Sequence, residues 1–250
     1  MKIGYLVTAR LKSTRLPKKL LLKINGTEMI TYMIQRLKYS KAINEIIICT
    51  STNVQDKPLE KIAKKLKVKC FRGSENDVLK RLYNAAVKFN LDYIVNITAD
   101  CPLVSIEYVE RIIDYYKKNS DVDLIRVFDL PHGAYSYGIK PKAIKKILSF
   151  KKSSDTEVWG RYFTDTGRFK VIDLEVDAEH KRPDLRMTLD YPEDFEFFKI
   201  IFEHFKEDIY TLTLDDIINY LDNNKSVVDI NKNCEKLYKK RWQSQNKLEV

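Results

Sequence analysis

The sequence predicts an α/β fold, three layers built around a mainly parallel, mixed sheet. Three observations point to it. Strand-like and helix-like segments alternate over the first 130 residues, the pattern of βαβ units. EIIICTS (45–51) and DYIVNIT (92–98) are near-continuous apolar runs, as strands covered on both faces require. The segments between them carry apolar residues at helical spacing.

The elements follow in order. KIGYLVT (2–8) opens the sheet, and 27–39 is a helix with Met29, Ile30, Met33, Ile34 and Leu37 on one face. After EIIICTS come a short helix, PLEKIAKKL, and a short strand, KVKCF. Residues 76–89 form a second amphipathic helix, with Ser74 or Asn76 as its cap. DYIVNIT, a helix over 105–117 and the strand DVDLIRVF complete the regular part. LPHGAYSYGIKP (130–141) holds two glycines, two prolines and two tyrosines and reads as a functional loop. Residues 141–149 are helical, RFKVIDLEV is an edge strand expected to run antiparallel, and RMTLD is a short strand. Pro192 opens the helix DFEFFKIIFEHF. Helices over 213–223 and 233–242 close the chain. Residues 1–230 are expected to form a single domain and 231–250 a C-terminal helical tail.

The 250 residues carry 45 Lys+Arg against 35 Asp+Glu, a net charge of +10 that suits an anionic partner. Four scattered cysteines without metal-ligand spacing argue against a zinc site or a disulfide framework. Neither a signal-peptide core nor a membrane-length apolar run occurs, which predicts a cytoplasmic protein.

Ligands of open α/β sheets bind beyond the carboxyl ends of the strands. Four polar clusters fall there: 8–19, FRGSEND (71–77), TADCP (98–102) and LDYPED (189–194). The first holds Arg10, Lys12, Arg15, Lys18 and Lys19, with Ser13 and Thr14 between them and no acid. No glycine occurs from 5 to 25, so backbone amides cannot cradle phosphates as in a Walker loop. Side chains must neutralise a triphosphate instead: Arg10 and Arg15 as bidentate forks, Lys19 as a mobile charge. An exposed basic loop without a ligand is the bland alternative. Asp100 and Asp190, each at a strand end, suit Mg²⁺, which takes one or two carboxylates and leaves other positions to phosphate. A turn aspartate and a helix cap are their bland readings. Arg72 and Asn76 can reach a ligand from FRGSEND, and His132 can touch substrate from the Gly/Tyr loop. His180 and His204 read as surface or helix-face residues.

These residues resemble a known family. ARLKSTRLPKKLL (9–21) has the form A-R-x-x-S-T-R-L-P-x-K and is similar to the N-terminal signature of the CMP-KDO synthetases and of the spore-coat polysaccharide biosynthesis protein F group. GSENDVLKR and TADCPL look more like the spore-coat group, and LDYPEDFEF resembles the D-x-P-E-D-L-E motif of both. The likeness runs to about residue 205. It implies a nucleotide-diphosphosugar transferase-like fold, a CTP site and Mg²⁺ on Asp100 and Asp190. It implies that Arg10, Ser13, Arg15 and Lys19 surround the triphosphate, and the nucleotide-binding set expected here adds Ala9, Thr14, Arg72, Asn76 and Thr98. Lys19, Arg15 and Arg10 are the catalytic set. Two departures stand out: Lys18 where the family often has glycine, and Ala99-Asp100-Cys101-Pro102 where the KDO enzymes have a Gly-Asp-Glu-Pro type sequence.

The function expected is CTP-dependent nucleotidyl transfer to a small anionic sugar or sugar-phosphate acceptor, with the 135–138 loop closing over it and His132, Tyr135 and Tyr137 touching it. Family analogy adds a homodimer. Two rivals are a glycosyltransferase of the same fold and a non-catalytic nucleic-acid-binding protein. The first needs a D-x-D pair at a strand's carboxyl end, whereas Asp121-Val122-Asp123 precedes its strand. The second needs tyrosines interleaved with cations in one stripe, and the 15 tyrosines show no such stripe.

Overall fold

The computed structural model of the chain describes residues 1–245 and 248–250. Its central strand, β1 (Ile3–Thr8), divides its side chains between two cores: Ile3, Tyr5 and Val7 face one, Leu6 the other. The period of two of a pleated strand makes this division. The chain continues through a small hairpin, β2 (Lys23–Ile24) and β3 (Thr27–Glu28), into α1 (Met29–Leu37), β4 (Glu45–Ser51), α2 (Lys57–Lys65), β5 (Lys69–Gly73), α3 (Val78–Lys88) and β6 (Tyr93–Thr98). Then come α4 (Ile106–Lys118), β7 (Leu124–Val127), β8 (Tyr137–Ile139), α5 (Pro141–Leu148), α6 (Gly160–Thr164) and β9 (Val171–Leu174). Four helices end the chain: α7 (Pro192–Phe205), α8 (Leu214–Asn223), α9 (Lys225–Asn231) and α10 (Cys234–Gln245).

The large sheet has the order β5-β4-β1-β6-β8-β7-β9. Every neighbouring pair is parallel except the two made by β8. Apolar faces of α1, α2, α4, α7 and α8 cover one side, and those of α3, α5 and α6 the other. Three layers result, as the apolar strand runs predict.

Several elements differ from the sequence expectation. The 130–141 segment is not a free loop, because Tyr137–Ile139 is β8, lodged between β6 and β7. Only a glycine fits at 138: a Cβ there would lie 2.2 Å from Tyr93 Oη. The edge strand β9 runs parallel to β7, not antiparallel. RMTLD is extended and, among the described residues, pairs only through a single bridge, Arg186 with His132. Asp77, not Ser74 or Asn76, caps α3 by accepting from Lys80 N. His180 is buried, bonded to Tyr108 and Asp215. Cys49, Cys101 and Cys234 are buried and Cys70 half-buried, all as free thiols. No helix among the described residues is long and apolar enough to cross a membrane. The 231–250 tail includes α10, and its residues 246 and 247 lie outside the described residues.

Gly133 joins the segment before β8 to the one before α7. Its φ is +101°, and a Cβ would stand 2.3 Å from Met187 O. A side chain there meets both a left-handed backbone penalty and a backbone clash. Gly133→Ala is expected to destabilise the fold by roughly 3 kcal/mol. Urea denaturation checks this as a lowered midpoint at unchanged slope.

Candidate active site

The loops leaving the carboxyl ends of β1, β5 and β6 meet on one edge of the sheet. Because β8 runs the opposite way, the residues that lead into it, Tyr135 and Tyr137, reach the same edge. Together they enclose a cavity of about 490 Å³.

The structure brings most of the sequence-selected residues onto its wall: Arg10, Ser13, Thr14, Arg15, Lys19, Asn76, Thr98, Asp100, His132, Tyr135, Tyr137 and Asp190. Two do not reach it. Ala9 is packed in the core, and its N–H donates to Cys49 O. Arg72 is turned back to the backbone, donating to Ser51 O and Asn53 O, with Glu60 beside it. Tyr137 and Gly138 stand in the sheet, so this half of the 135–138 stretch is wall and not part of a closing loop.

The cationic loop is held by its ends. Ala9 ties it to β4, and buried Asp56 accepts from Leu11 N at 2.7 Å. Lys18 then adopts φ 53°, ψ 30°, directly before the 3-10 turn Lys19–Leu21. This left-handed conformation is the one glycine takes without penalty, which accounts for the glycine that resembling sequences carry there. The turn drives Lys19 inward, where it is 8% exposed.

Each cation of this loop that lines the cavity meets a carboxylate from elsewhere in the chain. Arg10 pairs with Glu157 at 2.8 Å, and Lys12 with Glu75 at 3.4 Å. Arg15 bonds Asp190, and its guanidinium lies 5.0 Å from the Tyr191 ring centroid. Lys19 Nζ bonds Asp100 and, at 2.8 Å, Asp190. Burial alone would pull the Lys19 ammonium down, but the charges of Asp100 and Asp190 overcome it and hold the group above its ordinary value. Burial likewise pushes Asp190 up, yet Lys19 and Arg15 outweigh it and hold the carboxyl well below the usual range. Thr98 Oγ donates to the other oxygen of Asp100.

Sequence reasoning missed the support behind this pair. Asp194, in the first turn of α7 and fully buried, accepts from Asp190 N (2.8 Å) and Tyr191 N (3.0 Å). It also takes both arms of Arg186, at 2.8 and 3.0 Å, and Asn231 at 3.0 Å. Arg186 reaches on to Glu235 of α10 at 2.9 Å, and Glu235 accepts from His132 Nδ1 at 2.7 Å. The spacing of Arg186 from Asp190 and Asp194 was a usable signal. Glu235 carried none, and neither did Tyr238, Arg241 and Trp242, which put α10 against the cavity.

The sequence model of the family described as Cytidylyltransferase matches residues 5–203. The chain belongs to the cytidylyltransferase family. It is similar, at 33% identity over 93% of its length and 96% of the relative's, to an uncharacterised protein of Methanocaldococcus jannaschii. The spore coat polysaccharide biosynthesis protein SpsF of Bacillus subtilis is 26% identical over 80% of this chain and 86% of its own. A solved cytidylyltransferase from Leptospira borgpetersenii superposes with a TM-score of 0.84 at 28% identity, covering 91% of this chain and 97% of that one. The fold is thus that of a cytidylyltransferase, a nucleotidyltransferase enzyme.

In this cytidylyltransferase α10 is pinned by one carboxylate. Burial pushes Glu235 up, but its bonds to His132 and Arg186 prevail and bring it from the usual 4.5 to about 2. Because the folded value is depressed, the stabilisation is full above pH 4.5 and is lost as pH falls towards 2. With solvent screening allowed for, Glu235→Gln is expected to cost about 1–2 kcal/mol at neutral pH. Denaturation of both proteins across pH checks it: the difference narrows below pH 4.5.

Proposed function

We propose that this chain is a CTP-dependent nucleotidyltransferase that activates a sugar acid as its CMP derivative for surface-polysaccharide biosynthesis. One observation carries the reading: a buried ammonium, Lys19, held between Asp100 and Asp190 with Arg15 on the same carboxylate. Phosphoryl-type transfers need this combination, with mobile cations for the departing phosphates and hard oxygens for a divalent cation. The motif likeness to the CMP-KDO synthetases supports the cytosine nucleotide and the sugar acid. The name of the Bacillus subtilis relative supports the polysaccharide setting. In this reading the protein works in the cytoplasm.

Asp100 and Asp190 fit a divalent cation, Mg²⁺ in this reading. Their carboxylate oxygens converge on one position, now taken by Lys19 Nζ, and oxygen donors of this kind suit a hard ion. When bound, the ion supplies charge neutralisation at the phosphates. The chain's own residues do the rest. An acceptor oxygen attacks the α-phosphorus in line, and the bond to the β-phosphate oxygen breaks. Lys19 and Arg15 exchange their carboxylates for oxygens of the leaving pyrophosphate and stabilise its growing charge. Arg10 fixes its orientation from the Glu157 side. Asp194 and Arg186 keep Asp190 in place throughout.

Neither rival gains from the geometry. Asp121 and Asp123 lie at the start of β7 and bind Lys170, by its Nζ at 2.5 Å and its backbone N at 3.0 Å. Tyr5, Tyr93, Tyr108 and Tyr162 are buried in the cores and offer no stacking platform.

Pyrophosphate release from each of the four NTPs, with Mg²⁺ and a panel of sugar acids and sugar phosphates, tests the reading. Release is expected with CTP and to be abolished in Asp100→Asn. Lys19→Ala is expected to lose roughly 3 kcal/mol of transition-state stabilisation, over a hundredfold in rate. Near wild-type turnover in that variant removes Lys19 from the mechanism. Equal release from all four nucleotides overturns the cytosine preference.

A further inference from the structure

We propose that α10 is the acceptor-recognition element, with Tyr238 and Trp242 packing against the acceptor's sugar ring and Arg241 meeting its negative group. The proposal rests on the transferase reading above and names the part of the site that reading leaves open.

The family match ends at residue 203, yet α10 lies across the same cavity as the triphosphate loop. Tyr238, Arg241 and Trp242 stand at i, i+3 and i+4, so one face of the helix presents all three. They line the cavity together. Both tryptophans of the chain, Trp159 and Trp242, are on its wall. Trp242 remains 42% exposed at the end of a strongly polar helix. An indole so placed offers apolar ring surface, with a polar N–H, to a molecule in the cavity.

The rest of the wall on this side is aromatic and continuous. The Tyr238 ring is 4.5 Å from His132, His132 is 6.0 Å from Tyr135, Tyr135 is 5.7 Å from Tyr137, and Tyr137 is 5.2 Å from Trp159. The loop 10–19 by contrast supplies cations and hydroxyls. The cavity therefore has two chemistries. One suits phosphates, and the other suits the C–H face of a sugar ring, with Arg241 as a cation that α10 adds to the lining.

The helix is placed and not merely near. Glu235 in its first turn is fixed by His132 and Arg186, and the Arg186 guanidinium lies 5.5 Å from the Tyr238 ring centroid. Arg186 in turn holds Asp194 and so Asp190. The aromatic face is thus registered to the reacting end through bonded side chains. A cation on this wall suits a sugar that carries a negative group, and the acceptor class we assign is an anionic sugar.

Trp159→Phe leaves Trp242 as the single tryptophan, whose emission reports on α10. Calorimetry with CTP and Mg²⁺ comes first, since absent binding there overturns the parent reading and this one with it. In the CTP–Mg²⁺-saturated protein, 3-deoxy-manno-octulosonate or glucose 1-phosphate is expected to change Trp242 emission, and glucose is not. Tyr238→Ala and Arg241→Ala are expected to weaken that response roughly tenfold or more and to raise acceptor KM with CTP affinity unchanged. Tyr238→Phe should restore ring packing, and thermal melts identify any variant that fails to fold, for which Arg241→Gln substitutes. Emission that ignores both anionic sugars while CTP binds overturns the proposal. So does a pattern in which the α10 variants weaken CTP and leave acceptor KM alone.

Discussion

The Lys19 ammonium between two carboxylates is the constraint on which the rest of the site depends. An isolated ammonium at that depth costs several kcal/mol, and only well-placed counter-charges with satisfied remaining bonds offset it. Asp100 is steadied by Thr98 at the end of β6. Asp190 is steadied by two layers, since Asp194 fixes its backbone and Arg186 fixes Asp194. Arg186 is itself buried, so it needs more than one acid, and Glu235 from the last helix supplies another. One ion pair at the sheet edge thereby draws β1, β6, α7 and α10 into a single arrangement.

The core of the fold was legible because it rests on local periodicity. Apolar runs at 45–51 and 92–98 could only be strands buried on both faces, and the helical spacings between them could only lie outside the sheet. What failed to show was what neighbours decide. Tyr137–Ile139 is three residues long and set among glycines and prolines, and it is a strand because β6 and β7 leave a slot for it. RMTLD has strand composition, but among the described residues no partner strand lies along it beyond one bridge. The parallel direction of β9 depends on the chain's return path over α5 and α6, which no local pattern encodes.

The site divides along the same line. Arg10, Arg15 and Lys19 stand out because so many cations gather within ten positions without an acid. In the folded chain the part of that charge that lines the cavity is paired. Its acids come from Glu75, Glu157, Asp100 and Asp190, far away in sequence. Asp194 was readable as an acid near a helix N-terminus and by its spacing from Arg186, but neither shows that it is buried and takes both arms of that guanidinium. Lys18 was visible as a departure from the resembling motif, and the backbone explains it: the position needs a positive φ, which lysine takes at a cost and glycine takes freely.

Charge balance sets the order in which this site can fill. In the proposed function a triphosphate competes for Arg15 and Lys19 against carboxylates that already hold them, so part of its attraction goes into breaking existing pairs. Once those cations turn to phosphate, Asp100 and Asp190 face each other across a position with no positive charge. Asp190, 4% exposed, has little access to water that could compensate. Anion entry is therefore uphill unless a second cation arrives with it. A divalent ion carried by the nucleotide meets this need with the charge that the displaced Lys19 and Arg15 remove. The pairing seen in the structure keeps the buried acids satisfied, and in the proposed function it also ties nucleotide binding to the arrival of that cation.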